Sequence, residues 1–215
     1  MSVIVYYSCG AANETLLEAV RKNLTKMAGV IPIISVTDTP IDFGQNIVIP
    51  AGKRGYNDLF NRMMIGVEAA PENSIIYLAE DDVFYTASHF VKTPQDDEAV
   101  YFNTNRYYWA VGQDSYLPMS GTQAWSQGMF RREYMLTALK KYFASTERDA
   151  DLHVRHYEWQ SAKPNVDIRH GANFTRNGRE KNLYLAGRSK KVVRSIPQWG
   201  STKYFQLKTG YRGVA

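Results

Sequence analysis

The sequence predicts an α/β fold: a mostly parallel sheet flanked by helices, followed by a loop-rich, basic C-terminal segment. Three observations carry that expectation. From Val3 to Tyr85, apolar runs of strand length alternate with stretches of helical periodicity. The last of these runs, Ser74-Ile75-Ile76-Tyr77-Leu78-Ala79, ends in Glu80-Asp81-Asp82, so three carboxylates arrive together at the carboxyl end of a strand. Beyond residue 170 the periodicity fades and the charge becomes one-sided, with ten Lys/Arg against the single acid Glu180.

Val3–Ser8 reads as the first strand and runs into the small-residue loop Cys9-Gly10-Ala11-Ala12. Asn13 is placed to cap a helix in which Leu16, Leu17, Val20, Leu24 and Met27 recur at helical spacing, and Gly29 closes it. Ile31–Val36 is the second strand, stopped by Thr37-Asp38-Thr39-Pro40, and Asn46–Ile49 is a short third. Gly55 opens a second helix with Leu59, Phe60, Met63, Met64 and Val67 on its inner face, and Pro71 ends it. The acid-tipped strand follows. A β-α-β-β-α-β order implies parallel strands joined by right-handed crossovers. It brings Glu80-Asp81-Asp82 to the same edge as the Cys9–Ala12 and Thr37–Pro40 loops. Val100–Val111 then reads as a strand pair or one bent strand, rich in aromatics, and Ser120–Trp125 as a loop. A helix through Phe130, Tyr134, Met135, Leu136 and Leu139 comes next, then a shorter one from about Asp149 to Trp159. From Pro164 the chain reads as loop.

At 215 residues and 44% apolar, the chain suits one domain with a sizeable core. Its expected divisions are a nucleotide-binding half (1–86), an acceptor-side half (87–170) and the basic segment (171–215). No run approaches the ~20 apolar residues that span a bilayer. Met1-Ser2-Val3-Ile4-Val5 starts a strand rather than a signal peptide, so a cytoplasmic protein without membrane insertion is expected. The lone Cys9 allows no intrachain disulfide; it reads as a small buried thiol, with a nucleophile as the alternative. The formal net charge of +5 hides an asymmetry, since the first 170 residues hold 16 basic and 20 acidic side chains. The basic remainder is interleaved with Tyr184, Trp199, Tyr204, Phe205 and Tyr211. Such a segment suits an anionic partner, whether nucleotide diphosphate, nucleic acid or membrane surface, and equally a solvated basic face.

Three adjacent carboxylates repel unless they share a cation, and oxygen ligands suit Mg²⁺ or Mn²⁺. Neither G-x-G-x-x-G nor G-x-x-x-x-G-K-[ST] occurs, so phosphate handling falls to a metal and to basic side chains.

With Glu80-Asp81-Asp82 at a strand end and a nucleotide-type half before it, the chain resembles the GT-A-fold glycosyltransferases, whose Rossmann-type domain takes nucleotide-sugar donors. The tripeptide stands at the place of that family's D-x-D signature, with Glu in the first position. The resemblance implies Glu80 and Asp82 as metal ligands, with Asp81 beside the donor. Arg148-Asp149-Ala150-Asp151-Leu152-His153-Val154-Arg155 is similar to the E-D-x-D-L-x-x-R stretch of inverting members. That makes Asp149 the catalytic base, with Arg148 where Glu is expected; a helix N-cap is its other reading. Asp167-Ile168-Arg169-His170-Gly171-Ala172-Asn173-Phe174-Thr175-Arg176 looks like the loop that supplies a third metal ligand. On that likeness His170 binds the metal, and Arg169 and Arg176 face the pyrophosphate. Ser8, Asp38 and Arg54 fall where relatives contact the donor nucleotide. Gly121 and Trp125 fall on the acceptor side, where Trp125 or Trp109 offers a stacking face or joins the core.

The activity implied is a metal-dependent (Mn²⁺ or Mg²⁺), inverting sugar transfer from a nucleoside-diphosphate sugar to a hydroxyl. Small viral and environmental transferases share the pattern, which would put the protein in a host cytoplasm and suggests bacteriophage DNA modification. A hydroxymethylated pyrimidine in DNA stands ahead of a surface or lipid-linked glycan as acceptor. A non-catalytic nucleic-acid-binding protein, and a metal-dependent nucleotidyltransferase or nuclease, are the rival readings.

Overall fold

The computed structural model describes residues 1–119, 123–145, 152–171 and 192–211. Its first half is built from β1 (Ser2–Tyr7), α1 (Glu14–Ala28), β2 (Ile33–Thr37), β3 (Gln45–Val48), α2 (Tyr56–Ala69), β4 (Ile75–Glu80) and β5 (Val83–Phe84). The second half adds β6 (Val100–Asn103), β7 (Arg106–Ala110), β8 (Leu117–Pro118), β9 (Gly128–Arg131), α3 (Arg132–Ala144), β10 (His156–Trp159) and β11 (Asn165–Arg169). A small ribbon of β12 (Ser195–Ile196) and β13 (Gly200–Ser201) precedes α4 (Lys203–Thr209).

Seven strands form the main sheet in the order β10-β6-β9-β4-β1-β2-β3. It is mostly parallel, with β9 alone running against its neighbours β4 and β6. Asn13 caps α1 as its sequence position implies, its Oδ1 accepting from the Leu16 amide at 2.8 Å. Alternation along β1 and β4 sends Ile4, Tyr6, Tyr77 and Ala79 into the core beneath α1. Val3, Val5, Tyr7, Ile76 and Leu78 go to the opposite core with Leu59, Phe60 and Met63 of α2. This two-sided burial is what a parallel sheet with helices on both faces requires, and it later decides where each carboxylate points.

Helix α2 lies close on β1 and β2 because Gly66 faces them: a Cβ there would sit 2.4 Å from Val5 Cγ1 and 3.2 Å from Val36 Cγ2. Gly66→Ala gains at most about 1 kcal/mol of helix propensity but overpacks two stiff β-branched side chains, which costs about 1–3 kcal/mol. The variant is expected to be destabilised by roughly 1 kcal/mol, lowering Tm by roughly 3 °C in a thermal melt.

A second sheet, β5-β11-β7-β8, stands beside the first. On β7 and β11 the same alternation puts Trp109, Val166 and Ile168 into the core, where Trp109 stacks on Phe205 of α4 at 5.9 Å. The intervening Arg106 and Asp167 form a buried ion pair.

Three local expectations are corrected. Phe130 belongs to β9 rather than a helix, because its backbone completes the sheet between β4 and β6; the helix starts at Arg132. The helix expected from Asp149 to Trp159 gives way to β10, which pairs parallel with β6. The expected loop after Pro164 contains β11, whose Asn-Val-Asp-Ile-Arg alternation is a strand signal.

Behind the second sheet His89 is fully buried, and its Nδ1 accepts from Asn103 Nδ2 and Asn165 Nδ2, each at 3.1 Å. The proton therefore resides on Nε2, which has no hydrogen-bond partner among the described residues. Burial holds the imidazole down to about 3, against an ordinary value of 6.5. The folded pKa is depressed, so the His89 contribution is whole above about pH 6.5 and is lost as pH falls toward 3, by roughly 3 kcal/mol at pH 4. The penalty of His89→Gln, read from urea unfolding, should therefore be smaller at pH 4 than at pH 7 by about that amount.

Candidate functional site

The carboxyl ends of β1, β2 and β4 form one edge, where ligands bind in open α/β sheets. Tyr7 and Glu80 are register partners across β1 and β4. Beyond them Ser8 Oγ donates to Asp81 Oδ2 at 2.5 Å and accepts from the Gly10 amide at 3.0 Å, fixing both chain ends. Alternation then separates the acids. Burial raises the proton affinity of both Tyr6 and Tyr7, and the next influence is Asp81 on Tyr6 but Glu80 on Tyr7. Asp81 bonds Ser8, whereas Glu80 lines a cavity together with Tyr7, so the two acids serve opposite sides of the sheet.

On the side of Asp81, the turn Asp81-Asp82 is tied to β11 by a hydrogen bond from the Ile168 amide to the Asp82 carbonyl at 2.8 Å. That tie carries His170 to the acidic turn, with Nε2 3.8 Å from Asp82 Oδ2 and both side chains buried. Burial lowers the His170 pKa to about 4, with the charges of Arg169 and Arg54 adding to it. At neutral pH it is an uncharged imidazole, the form that ligates metals. Burial lifts Asp81 to about 6, against the opposing hydrogen bond from Ser8 and the charges of Arg62 and Arg54. Arg54 is exposed, and its field reaches Cys9, Asp81 and His170 alike. Burial pushes the Cys9 thiol up to about 11, the state of an inert thiol rather than a nucleophile.

On the other side of β4 lies a cavity of about 240 Å³, whose walls include Tyr7, Glu80, Tyr108, Trp125, His153 and Arg169. Burial, then Asp82 and Asp81, raise the proton affinity of Glu80 well above a free carboxyl's, and Arg169 partly offsets them. The Arg169 guanidinium lies 4.8 Å from the Tyr108 ring centroid and that of Arg106 5.1 Å from it. The Trp125 ring packs edge-on to Phe60 at 5.4 Å and Phe102 at 5.3 Å, and it also lines the cavity. Trp109 is wholly core.

The fold thus brings Ser8, Asp81, Asp82, His170 and the field of Arg54 to one side, and Glu80, Arg169 and Trp125 to the other. Glu80 and Arg169, expected on the metal and on the pyrophosphate, both line the cavity, and after burial Asp82 is the strongest influence on the proton affinity of Glu80. Among the described residues no three His, Cys, Asp or Glu side chains gather into a set able to hold a metal. Asp149, Gly121 and Arg176 lie outside the described residues.

Several contributors had escaped sequence reasoning. Arg62 of α2 is fully buried and bonds Asp38, Asp58 and the Ser8 carbonyl. Its i,i+4 spacing from Asp58 was the available signal. Tyr85 donates to the Ser126 carbonyl at 2.9 Å and accepts from the Glu80 amide at 3.1 Å, bracing the end of β4. Tyr211 of the basic segment stacks on His170 with ring centroids 6.3 Å apart.

These features define a mixed α/β protein with a Rossmann-like sheet and a polar site at its carboxyl edge. No protein-family model and no curated protein matches the chain. Among solved structures, the bifunctional IspDF from Campylobacter jejuni superposes on 75% of the chain with a TM-score of 0.44 and 8% identity. The chain spans half the length of that protein. No helix among the described residues is long and apolar enough to cross a membrane.

Proposed function

We propose that the protein is a nucleotide-sugar-dependent glycosyltransferase of GT-A type. The observation that carries this reading is the meeting of Asp82 with His170, which arrive from opposite halves of the chain and stand 3.8 Å apart beside Asp81 and Ser8. One carboxylate and one neutral imidazole fit a divalent ion that takes its other ligands from water and phosphate. The nitrogen donor suits Mn²⁺ better than Mg²⁺, whose sites are built from oxygen. Such an ion, held by Asp82 and His170, supplies Lewis-acid neutralisation of the diphosphate leaving group.

The chain's own groups divide the remaining work. Asp38 and Arg54 would hold the nucleoside and its phosphates, with Arg176 joining from the basic segment. The aromatic and polar cavity would take the acceptor ring, with Trp125 as its platform. Asp149 is the proposed base for the acceptor hydroxyl, inverting the anomeric centre as the sugar departs. Glu80, in the cavity wall, would hydrogen-bond the acceptor. The one-sided positive charge of residues 171–215 favours DNA carrying hydroxymethylated pyrimidines as acceptor over a glycan.

A thermal-shift screen of UDP, GDP, ADP and CDP tests the reading. With Mn²⁺ present, one diphosphate at 100 times its Kd should add about 2.7 kcal/mol of stability, a Tm rise of roughly 5–10 °C. Without metal the rise should vanish. If none of the four shifts Tm with Mn²⁺, the protein does not use a nucleoside-diphosphate sugar. Release of pyrophosphate in turnover would favour the nucleotidyltransferase reading instead.

A further inference from the structure

We propose that Arg62 is the positioning residue that couples the nucleoside end of the donor site to its acidic end; the inference rests on the donor-site reading above. Arg62 is fully buried on α2, where a guanidinium must find partners for its charge and its donors. Its Nε and Nη2 each lie 3.2 Å from Asp58 Oδ2, one turn earlier on the same helix. Asp58 is itself buried, and this one carboxylate already balances the charge.

The guanidinium nevertheless reaches two further segments. Nη1 donates to the Ser8 carbonyl at 2.8 Å, at the end of β1. Nη2 donates to Asp38 Oδ1, at the end of β2. Asp38 is therefore a second anion at a site that needs only one, and it is the more exposed of the two, at 18% against 7%. Its place is explained by what it would offer a ligand: at the end of β2, a part-exposed carboxylate oriented by Arg62 would accept from a ligand N–H or O–H.

Ser8 extends the connection. Its carbonyl is held by Arg62 while its hydroxyl is donated to Asp81, next to Asp82. A continuous path of hydrogen bonds thus runs Asp38–Arg62–Ser8–Asp81, from the end of β2 through β1 to the end of β4. A nucleoside diphosphate lying along this edge would meet Asp38 at one end and the metal-binding turn at the other. Arg62 sets the distance and orientation between them without touching the ligand, since it is wholly covered.

The test is a double-mutant cycle on ligand affinity, read by calorimetric titration of the tightest-binding nucleoside diphosphate in Mn²⁺. Asp38→Asn and Arg62→Met should each weaken binding about tenfold, the loss of one charge-assisted hydrogen bond. The double variant should be no weaker than the worse single one, because both substitutions remove the same oriented carboxylate. Additive losses, the signature of two unrelated effects, would overturn the proposal. Arg62→Lys keeps the charge over Asp58 and guards against a misfolded methionine variant. Its ammonium cannot bridge three segments, so its Kd should still rise several-fold; affinity equal to wild type would overturn the proposal. Wild-type protein that binds no diphosphate would overturn the donor-site reading and this inference with it. Tight wild-type binding with unchanged variants would overturn the inference alone.

Discussion

Replacing Asp82 with Asn is expected to lower turnover about 1,000-fold or more, the several kcal/mol that a metal-held charge contributes to a phosphate leaving group. Stability should be unchanged or slightly higher. The Asp82 carbonyl that anchors β11 belongs to the backbone and survives the substitution. The lost carboxylate is buried and raises the proton affinity of its neighbour Glu80, so its removal relieves a repulsion. The decisive measurement pairs kcat with Tm. Near wild-type turnover in Mn²⁺ would refute the metal role of Asp82, whereas a large fall in Tm would show that it is structural. Asp149→Asn should match the loss in kcat while leaving Mn²⁺-dependent diphosphate binding intact, since a base acts on the acceptor alone.

The largest effect on stability is expected at Asp167. Asp167 and Arg106 are 4% and 1% exposed and form an ion pair joining β11 to β7. Asp167 Oδ1 also accepts from Gln127 Nε2 at 3.2 Å, and Gln127 in turn accepts from Asn165 at 2.8 Å. Asp167→Ala strands a buried guanidinium, which costs about 3–5 kcal/mol. Tm should fall by roughly 10 °C or more in a chain of this size. The companion variant Asp167→Leu/Arg106→Leu should recover much of that loss, because removing both charges leaves none uncompensated. If the double variant is as unstable as the single, the wall is held by hydrogen bonds rather than by charge balance. The same pair lines the cavity, so its loss should also weaken any acceptor that stacks there.

Much of this architecture was legible in one dimension. The cap at Asn13, the inner faces of α1 and α2, and the strand that ends at Glu80 depend on neighbours within a few residues. Periodicity and cap chemistry report such neighbours directly. The strands β10 and β11 were harder. A four-residue His-Tyr-Glu-Trp run has no strong local preference, and its strand state comes from the β6 edge it joins.

The site divides along the same line. From the sequence alone came the class of fold, the sheet edge that carries the acids, and the residue types gathered there: consecutive acids, a distant histidine and basic side chains. Only the tertiary structure decided which of them act together. Alternation about β4 sends Glu80 into the cavity and leaves Asp81 with Ser8. Pairing of β11 with β5 and β7 brings His170 to Asp82. Burial and its partners make Arg62 a brace between three segments. The reason is physical: a local pattern records how a residue sits on its own strand or helix, whereas charge pairing and side-chain direction at a site depend on segments that only folding makes adjacent.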